Sequence, residues 1–426
     1  MLSLQNCKDH WRRGRLAKYS PKGVVRCVEP RETIRRATAV LDRVGVTTVS
    51  DVTDLDHVGI PNFMTVRPRD LDPGISYYNG KGTTRVDAHA GALMEAIERH
   101  AGESCRYSTV VGTYDELRRS YTCVDPRDII VPMVREYSDD LSLEWVCGYD
   151  LLNDRETLVP LNAVVCPYRP NEGTTLYYAS TNGLASGNTL IEALCHAVCE
   201  VIERDAEALM MARTQIGPAA RALLGMPGDP VRSAPRQISF NGLPRRAVPL
   251  ISMLRHAGLR VFLRDYTSTA GIATIDCTVV ERGNDGVDTA YGGCGSHPDA
   301  RVALLRAITE AAQSRVTMIQ GGREDLPEVL RQNPAVHVED LFAGAEVISF
   351  ADVPTVDHQY IDDDVEFMME RLPRDGITQL IAFDLTHPDV GIPVVRVVVP
   401  LAETWTVFHL HTGRGTFGPR IAQDMQ

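Results

Sequence analysis

The chain has no run of about 18 apolar residues, the length a helix needs to cross a bilayer. Its strongest apolar stretch, Ile392 to Ala402, is broken by Arg396 and Pro400 and reads as a buried strand. A basic excess is also missing. Against 56 acidic residues stand 44 Lys and Arg, a formal net charge of −12, and broad nucleic-acid binding needs the opposite balance. None of the ten cysteines forms a CxxC pair, so zinc-ribbon spacing is absent. Small buried thiols in a reducing cytoplasm are expected instead. The first residues, MLSLQNCKDHWRRGR, lack the apolar centre of a signal peptide, which adds to the expectation of a cytoplasmic chain without membrane contact. There is no GxxxxGK[ST] and no GxSxG, and NGKGTT and GRGTFG are too short to count as a dinucleotide fingerprint, so P-loop, dinucleotide and nucleophile-elbow chemistries find no support.

What is present is an ordinary globular composition, 44% hydrophobic and 23% charged, long enough for a large core. Residues 1 to 26 are basic: Lys8, Arg12, Arg13, Arg15, Lys18, Lys22 and Arg26 face only Asp9. They read as a mobile, solvated arm; the competing reading is a clamp for an acidic partner. An amphipathic helix is expected from Pro30 to Val44, then strands near Phe63 to Arg67 and Ser76 to Tyr78. Helices are expected over 84–104, 189–211 and 299–319. Strands are expected over 158–166, 259–264, 272–281, 379–384 and 393–399. This is an α/β (α+β) pattern, with residues 1–60 as N-terminal arm and helix and 61–426 as one large body.

Internal similarity is the informative feature. Tyr78 to Arg99, YNGKGTTRVDAHAGALMEAIER, and Ser180 to Arg204, STNGLASGNTLIEALCHAVCEVIER, each join a Gly-rich loop to a helix ending in ExxER. Gly82 precedes Glu95 by 13 residues, and Gly187 precedes Glu200 by the same 13. A third unit, Gly292 to Arg315, carries Glu310 and Gln313 at the three-residue spacing of the paired Glu residues. At about 100° per residue, Glu192, Glu200 and Glu203 fall within about 80°, and Glu95 and Glu98 lie about 60° apart. A single such face is an ordinary solvated one. Three of them behind Gly-rich loops suggest carboxylates gathered in one cleft, stable only with counter-cations. Oxygen ligands suit Mg²⁺ with nucleotide phosphates, Lys81 offers a point charge, and loop N–H groups offer donors. Cys195 and Cys199 share a helix face and read as core. Cys294 in GGCGSHP is the best nucleophile candidate among the cysteines, with a tight turn explaining the segment equally well, and His409 and His411 read as one face of a half-exposed strand.

The three segments resemble the ATP-binding regions of the YcaO superfamily, and Thr53 to Pro68, TDLDHVGIPNFMTVRP, adds a fourth matching block; the resemblance covers roughly residues 60 to 400. It implies a protein that uses ATP to phosphorylate a peptide backbone amide oxygen. A side-chain nucleophile then gives an azoline, sulfide a thioamide, or an amine an amidine. It also implies a homodimer, with ATP and Mg²⁺ between Glu-bearing helices. By motif, Glu95, Glu98, Glu200 and Glu203 hold Mg²⁺, joined by Glu192, and Glu98, Glu200 and Glu203 are the catalytic carboxylates. Lys81, Arg99, Asn188, Arg204, Glu310, Gln313 and Arg315 surround the nucleotide, with Thr33 as a further contact. Gly91 stands where the family usually has Ser. Azoline-forming relatives commonly end in a Pro-rich tail, whereas GPRIAQDMQ carries only Pro419. The chain is similar to stand-alone members that work with a TfuA-like partner and a sulfide source. In methanogens these act on the alpha subunit of methyl-coenzyme M reductase to make thioglycine. Peptide thioamidation is therefore the expected activity. The alternatives are an azoline-forming cyclodehydratase and a non-catalytic accessory protein.

Overall fold

The computed structural model describes residues 8–11, 14–19, 25–68, 76–103, 105–131, 133–216, 235–283, 288–321, 345–404 and 420. Arg12, Arg13, Lys22, His409, His411 and Pro419 lie outside them. The longer helices are α1 Pro30–Thr38, α2 Arg85–Gly102, α3 Leu190–Met211, α4 Ala247–His256, α5 Ala300–Gln320 and α6 Ile361–Arg371. The strands are β1 Thr48–Asp51, β2 Asn62–Val66, β3 Tyr77–Lys81, β4 Thr109–Gly112, β5 Leu143–Asp150, β6 Arg155–Pro160 and β7 Leu184–Ser186. They continue as β8 Arg236–Ile238, β9 Arg260–Asp265, β10 Thr274–Arg282, β11 Asp288–Ser296, β12 Val347–Ile348, β13 Ile381–Asp384 and β14 Val394–Val398. Among the described residues, no helix is long and apolar enough to cross a membrane.

The strands form three sheets. One is β1-β2-β3; one is β11-β10-β9-β8-β12, antiparallel except for β8 and β12; one is β4-β5-β13-β14-β7 with β6 also on β5. This is an α+β arrangement. The β1–β2 pairing, Thr48 opposite Val66, spans residue 60. The expected helix over 30–44 is two pieces, because the chain leaves helical geometry at Val40 and resumes in a turn over Leu41–Val44. The expected strand over 158–166 stops at Pro160 and becomes a 3-10 turn, Leu161–Ala163.

The three repeats are built alike. β3, β7 and β11 each lead through a capping residue into α2, α3 and α5. Thr84 accepts from the Asp87 N–H, Thr189 from Glu192 and Asp299 from Arg301, which satisfies first-turn donors. The glycines before the caps let each helix lie against its strand. A Cβ on Gly80 would sit 2.0 Å from the Ala92 nitrogen, one on Gly187 2.4 Å from the Ala193 nitrogen and one on Gly293 2.2 Å from the Ala311 nitrogen. Close backbone approach requires glycine at these three positions.

The N-terminal arm departs from expectation. Its described part is anchored to the body, although Gly14, Arg15, Ala17 and Tyr19 stay exposed. Trp11 is buried, and Lys18 Nζ lies 2.7 Å from Asp364 Oδ2 with both side chains nearly inaccessible. Arg15 pairs with Asp363 at 2.9 Å, and Arg26 with Glu192 at 3.1 Å. The acids that receive the basic residues belong to α3 and α6, far away in sequence.

Candidate active site

The carboxylates of α2 and α3 meet Glu310 and Gln313 of α5 around one cleft of about 590 Å³. Glu95, Glu98, Glu200, Glu203, Glu310 and Gln313 all line it, with Lys81, Arg99, Asn188 and Arg204. Thr33 and Gly91 are on its wall as well. The faces that read individually as solvated are thus turned toward one another.

Hydrogen bonds fix several of these groups. Glu98 Oε2 accepts from the Ser186 N–H at 2.8 Å and its hydroxyl at 3.2 Å. Glu203 Oε2 accepts from the Ser296 N–H at 3.2 Å and faces Arg306 at 3.6 Å. Lys81 pairs with Glu310, and Arg204 reaches the same carboxylate at 3.7 Å. Arg99 pairs with Glu95 at 2.8 Å one turn back. Gln313 Nε2 donates to the Asn79 carbonyl at 2.9 Å, joining α5 to β3.

The electrostatics distinguish two groups of acids. Burial pushes Glu98 well above the usual carboxylate range, and neighbouring Glu95 and Glu200 add to it. Burial also raises Glu200. Glu203 is pushed up to about 7, by burial first and then by Glu310. Glu310 behaves oppositely: burial works against its charge, but Lys81 and Arg204 outweigh it and hold the group low. The cleft therefore holds three carboxylates whose charge the protein's own cations leave under-compensated. Oxygen donors in that state fit a hard divalent cation.

Two expected site residues are elsewhere. Glu192 is buried and does not line the cleft. It accepts from the Cys27 N–H at 3.0 Å and Asn188 Nδ2 at 2.8 Å and pairs with Arg26, which together outweigh burial and hold it low. Its angular position is within about 20° of Glu203, but eleven residues put it about 16 Å away along the axis. It anchors the N-terminal arm to α3. Arg315 lies about 140° around α5 from Glu310. It is tied to Asp56 at 2.7 Å and Glu281 at 3.0 Å, away from the cleft. Conversely, Ser186, Arg306 and His196 line the cleft without having been singled out, and Arg26, read only as part of the basic arm, lines it too. Arg306 was within reach of the helical period, since residues 306, 310 and 313 share one face of α5. The others depend on tertiary contacts.

Cys294 is buried beside Ala206 and Tyr266 and is not a cleft residue. Ligand atoms of Cys195, Cys199 and His297 lie within 4.8 Å of one another. His297 Nδ1 accepts from the Asp299 N–H at 2.9 Å, which places the proton of the neutral ring on Nε2. Neither ring nitrogen is then free to ligate a metal, and the two thiols remain core groups.

The family model described as "YcaO cyclodehydratase, ATP-ad Mg2+-binding" matches residues 79–403. This chain belongs to the YcaO family. It is 34% identical over 396 residues to an uncharacterised protein of Methanothermobacter thermautotrophicus, covering 91% of this chain and 97% of that one. It is 31% identical over 389 residues to an uncharacterised protein in the tfuA 3′ region of Rhizobium leguminosarum bv. trifolii, covering 89% and 88%. The structure of YcaO from Methanopyrus kandleri bound with AMPPCP and Mg²⁺ aligns with a TM-score of 0.68 at 26% identity, over 94% of this chain and 97% of that one. A heterocyclase in complex with substrate and cofactor has the same fold, with a TM-score of 0.76 at 19% identity. The match covers 96% of this YcaO chain and 55% of that longer one. Within this family, the Glu-bearing helices and the cleft they enclose form the candidate active site.

Proposed function

We propose that this YcaO protein uses ATP to activate a peptide backbone amide and that hydrosulfide then converts the amide to a thioamide. The carrying observation is the set of buried, under-compensated carboxylates, Glu98, Glu200 and Glu203, facing Lys81, Arg99, Arg204 and Arg306 across one cleft. With Glu95, those carboxylates would hold Mg²⁺. Bound there, Mg²⁺ supplies neutralisation of phosphate charge. Lys81, Arg99, Arg204 and Arg306 set positive charge along the path of the phosphates, and Asn188, Glu310 and Gln313 border the nucleotide.

An amide carbonyl is a poor electrophile, and phosphorylating its oxygen turns that oxygen into a leaving group. The γ-phosphoryl bond of ATP breaks as the amide O–P bond forms. Hydrosulfide adds to the amide carbon, the C–O bond breaks, and phosphate departs with the amide oxygen. Amide, HS⁻ and ATP thus give thioamide, ADP and hydrogen phosphate, with the S–H proton carried off on phosphate.

Sulfide as nucleophile is supported by the likeness to the protein beside tfuA in Rhizobium, and a TfuA-like partner would deliver it. The likeness to the Methanothermobacter protein makes a glycine of the methyl-coenzyme M reductase alpha subunit the first substrate to try. The family's assembly in this reading is a homodimer. A second reading, azoline formation, is favoured by the cyclodehydratase description of the family model. One experiment separates them. The protein is incubated with ATP, Mg²⁺, sulfide and Gly-containing peptides, with and without a TfuA-type partner, and peptide mass is read. Replacement of oxygen by sulfur is expected. Loss of water without sulfide would establish the azoline reading, and an unchanged mass without ATP hydrolysis would remove both.

A further inference from the structure

β2 lies between β1 and β3, and its hydrogen bonds alternate between them. The Val52 N–H donates to the Asn62 carbonyl at 3.0 Å, so the even-numbered residues of β2 face β1. The Arg67 N–H donates to the Ser76 carbonyl at 2.9 Å and the Gly82 N–H to the Pro61 carbonyl at 3.3 Å, so residues 76, 78, 80 and 82 face β2. The N–H and C=O groups of Tyr77, Asn79 and Lys81 therefore point to the outer edge of β3. All three residues line the nucleotide cleft.

The other two repeats show what usually happens to such an edge. β7 and β11 are edge strands too, and carboxylates take their outer N–H groups: Glu98 that of Ser186 at 2.8 Å, Glu203 that of Ser296 at 3.2 Å. The third helix carries Gln313 where the first two carry Glu98 and Glu203, and Gln313 Nε2 donates to the Asn79 carbonyl at 2.9 Å. The Asn79 N–H is thus not capped as Ser186 and Ser296 are. Three outer groups of β3 have no partner among the described residues: the Tyr77 N–H, the Tyr77 C=O and the Asn79 N–H. Donor, acceptor and donor in a row along a strand edge are what a further strand pairs with.

We infer that the extended backbone of the peptide substrate adds to β3 as a parallel fourth strand of this sheet. The Tyr77 N–H donates to one peptide carbonyl. The Tyr77 C=O accepts the N–H of the peptide residue two further on, and the Asn79 N–H donates to that same residue's carbonyl. An antiparallel strand exchanges both bonds with each residue it faces, and at Asn79 Gln313 already holds one of them. Gln313 is a positioning residue here. Its carboxamide stands where the next peptide N–H would bind, so it ends the pairing. The peptide runs in the direction of β3, and its following amides reach the Lys81–Glu310 pair beside the carboxylates. Recognition through the backbone suits a reaction whose target is a backbone amide. The inference rests on the amide-activation reading and is the same for a thioamide or an azoline product.

Hydrogen exchange of the full-length protein with AMPPCP and Mg²⁺ is read residue by residue, with and without the Gly-containing peptides of the mass assay. Exchange at the Tyr77 and Asn79 amides should slow at least about tenfold when peptide is present. Methylating the peptide nitrogens one at a time should weaken binding at least about tenfold at a single position, the residue that donates to Tyr77, and little at its neighbours. Gln313→Ala frees the Asn79 carbonyl and should add a second sensitive position two residues further on; its absence overturns the positioning role. Tyr77→Pro removes one donor at the first residue of an edge strand, where proline is tolerated, and should weaken peptide binding about tenfold. Tyr77→Phe keeps the backbone and should bind as wild type. Equal binding by Tyr77→Pro, no protection at residues 77 and 79 with any peptide, or an N-methyl scan without a sensitive position overturns the inference. Should Tyr77→Pro not fold, the scan and the exchange decide. Protection at β3 without a change in peptide mass removes the amide-activation reading and leaves the pairing, and a changed mass without protection does the reverse.

Discussion

Replacing Glu203 by Gln separates the cost of the carboxylate cluster from its use. Glu203 is 2% exposed, and its pKa rises from an ordinary 4.5 to about 7, through burial first and Glu310 second. That rise corresponds to roughly 3 kcal/mol held against the ionised form. Between about pH 4.5 and 7 the folded protein keeps a proton that the unfolded chain has released. Stability therefore falls as pH rises through this window, and the penalty is complete above 7. Gln retains an acceptor for the Ser296 N–H and carries no charge. In EDTA at pH 8, Glu203→Gln should melt above wild type by about 3 °C for a chain of this size, and the gain should vanish near pH 4.5. Activity should move the other way. Loss of a Mg²⁺ ligand worth about 3 kcal/mol in the transition state lowers ATP turnover by about 100-fold. Adding Mg²⁺ with a non-hydrolysable nucleotide should raise the wild-type Tm and leave the variant nearly unmoved. Calorimetry across pH and a phosphate-release assay test both halves. A variant that melts lower than wild type at pH 8, or turns over ATP within about tenfold of it, would show that Glu203 is a structural hydrogen-bonding group.

The arm and the repeats supply further expectations. Lys18→Met removes the cation beside the buried Asp364 carboxylate, leaving His358 on its other oxygen, and should cost about 3 kcal/mol by urea denaturation, with partial recovery in Lys18→Met/Asp364→Asn. A Cβ on Gly91 meets Gly80 Cα at 3.5 Å and the Lys81 carbonyl at 3.6 Å, ordinary contacts, so Gly91→Ser should fold, gain about 0.5 kcal/mol of helix propensity and lower the ATP KM. Gly293→Ala, whose Cβ meets the Ala311 nitrogen at 2.2 Å, should lose about 3 kcal/mol or fail to accumulate as soluble protein. His297 is held well below its ordinary pKa, by burial first and then by Lys18 and Arg306. Unfolded histidine takes a proton below about pH 6.5 that the folded one refuses, so this residue's share of stability is complete above 6.5 and falls by about 1.4 kcal/mol by pH 5.5. His297→Asn, which keeps an acceptor for the Asp299 N–H, should flatten that part of the Tm profile relative to wild type.

The repeats made three helices and their cleft legible because caps, glycines and carboxylates are local, spaced signals. The arm was not legible, because Lys18 finds Asp364 and Arg26 finds Glu192 across long stretches of chain, and no period in residues 1–26 reports an acid elsewhere. Glu192 and Arg315 show a second limit. An angle around a helix says which face a residue shares, and nothing about which turn the cleft occupies. Glu192 has the right face and the wrong height; Arg315 has the wrong face, and only the motif resemblance suggested it. Arg306 has both right. The glycines make the same point about cause. Their loops were read as a source of N–H donors for phosphate, and the geometry at Gly80, Gly187 and Gly293 adds a requirement of strand-to-helix contact. That contact brings Lys81, Ser186 and Ser296, the residues at the ends of β3, β7 and β11, against the carboxylates of α2, α3 and α5. The packing requirement and the chemical one are therefore met by the same short segments. A glycine substitution there should reduce stability and ATP turnover together, whereas Glu203→Gln should move them apart.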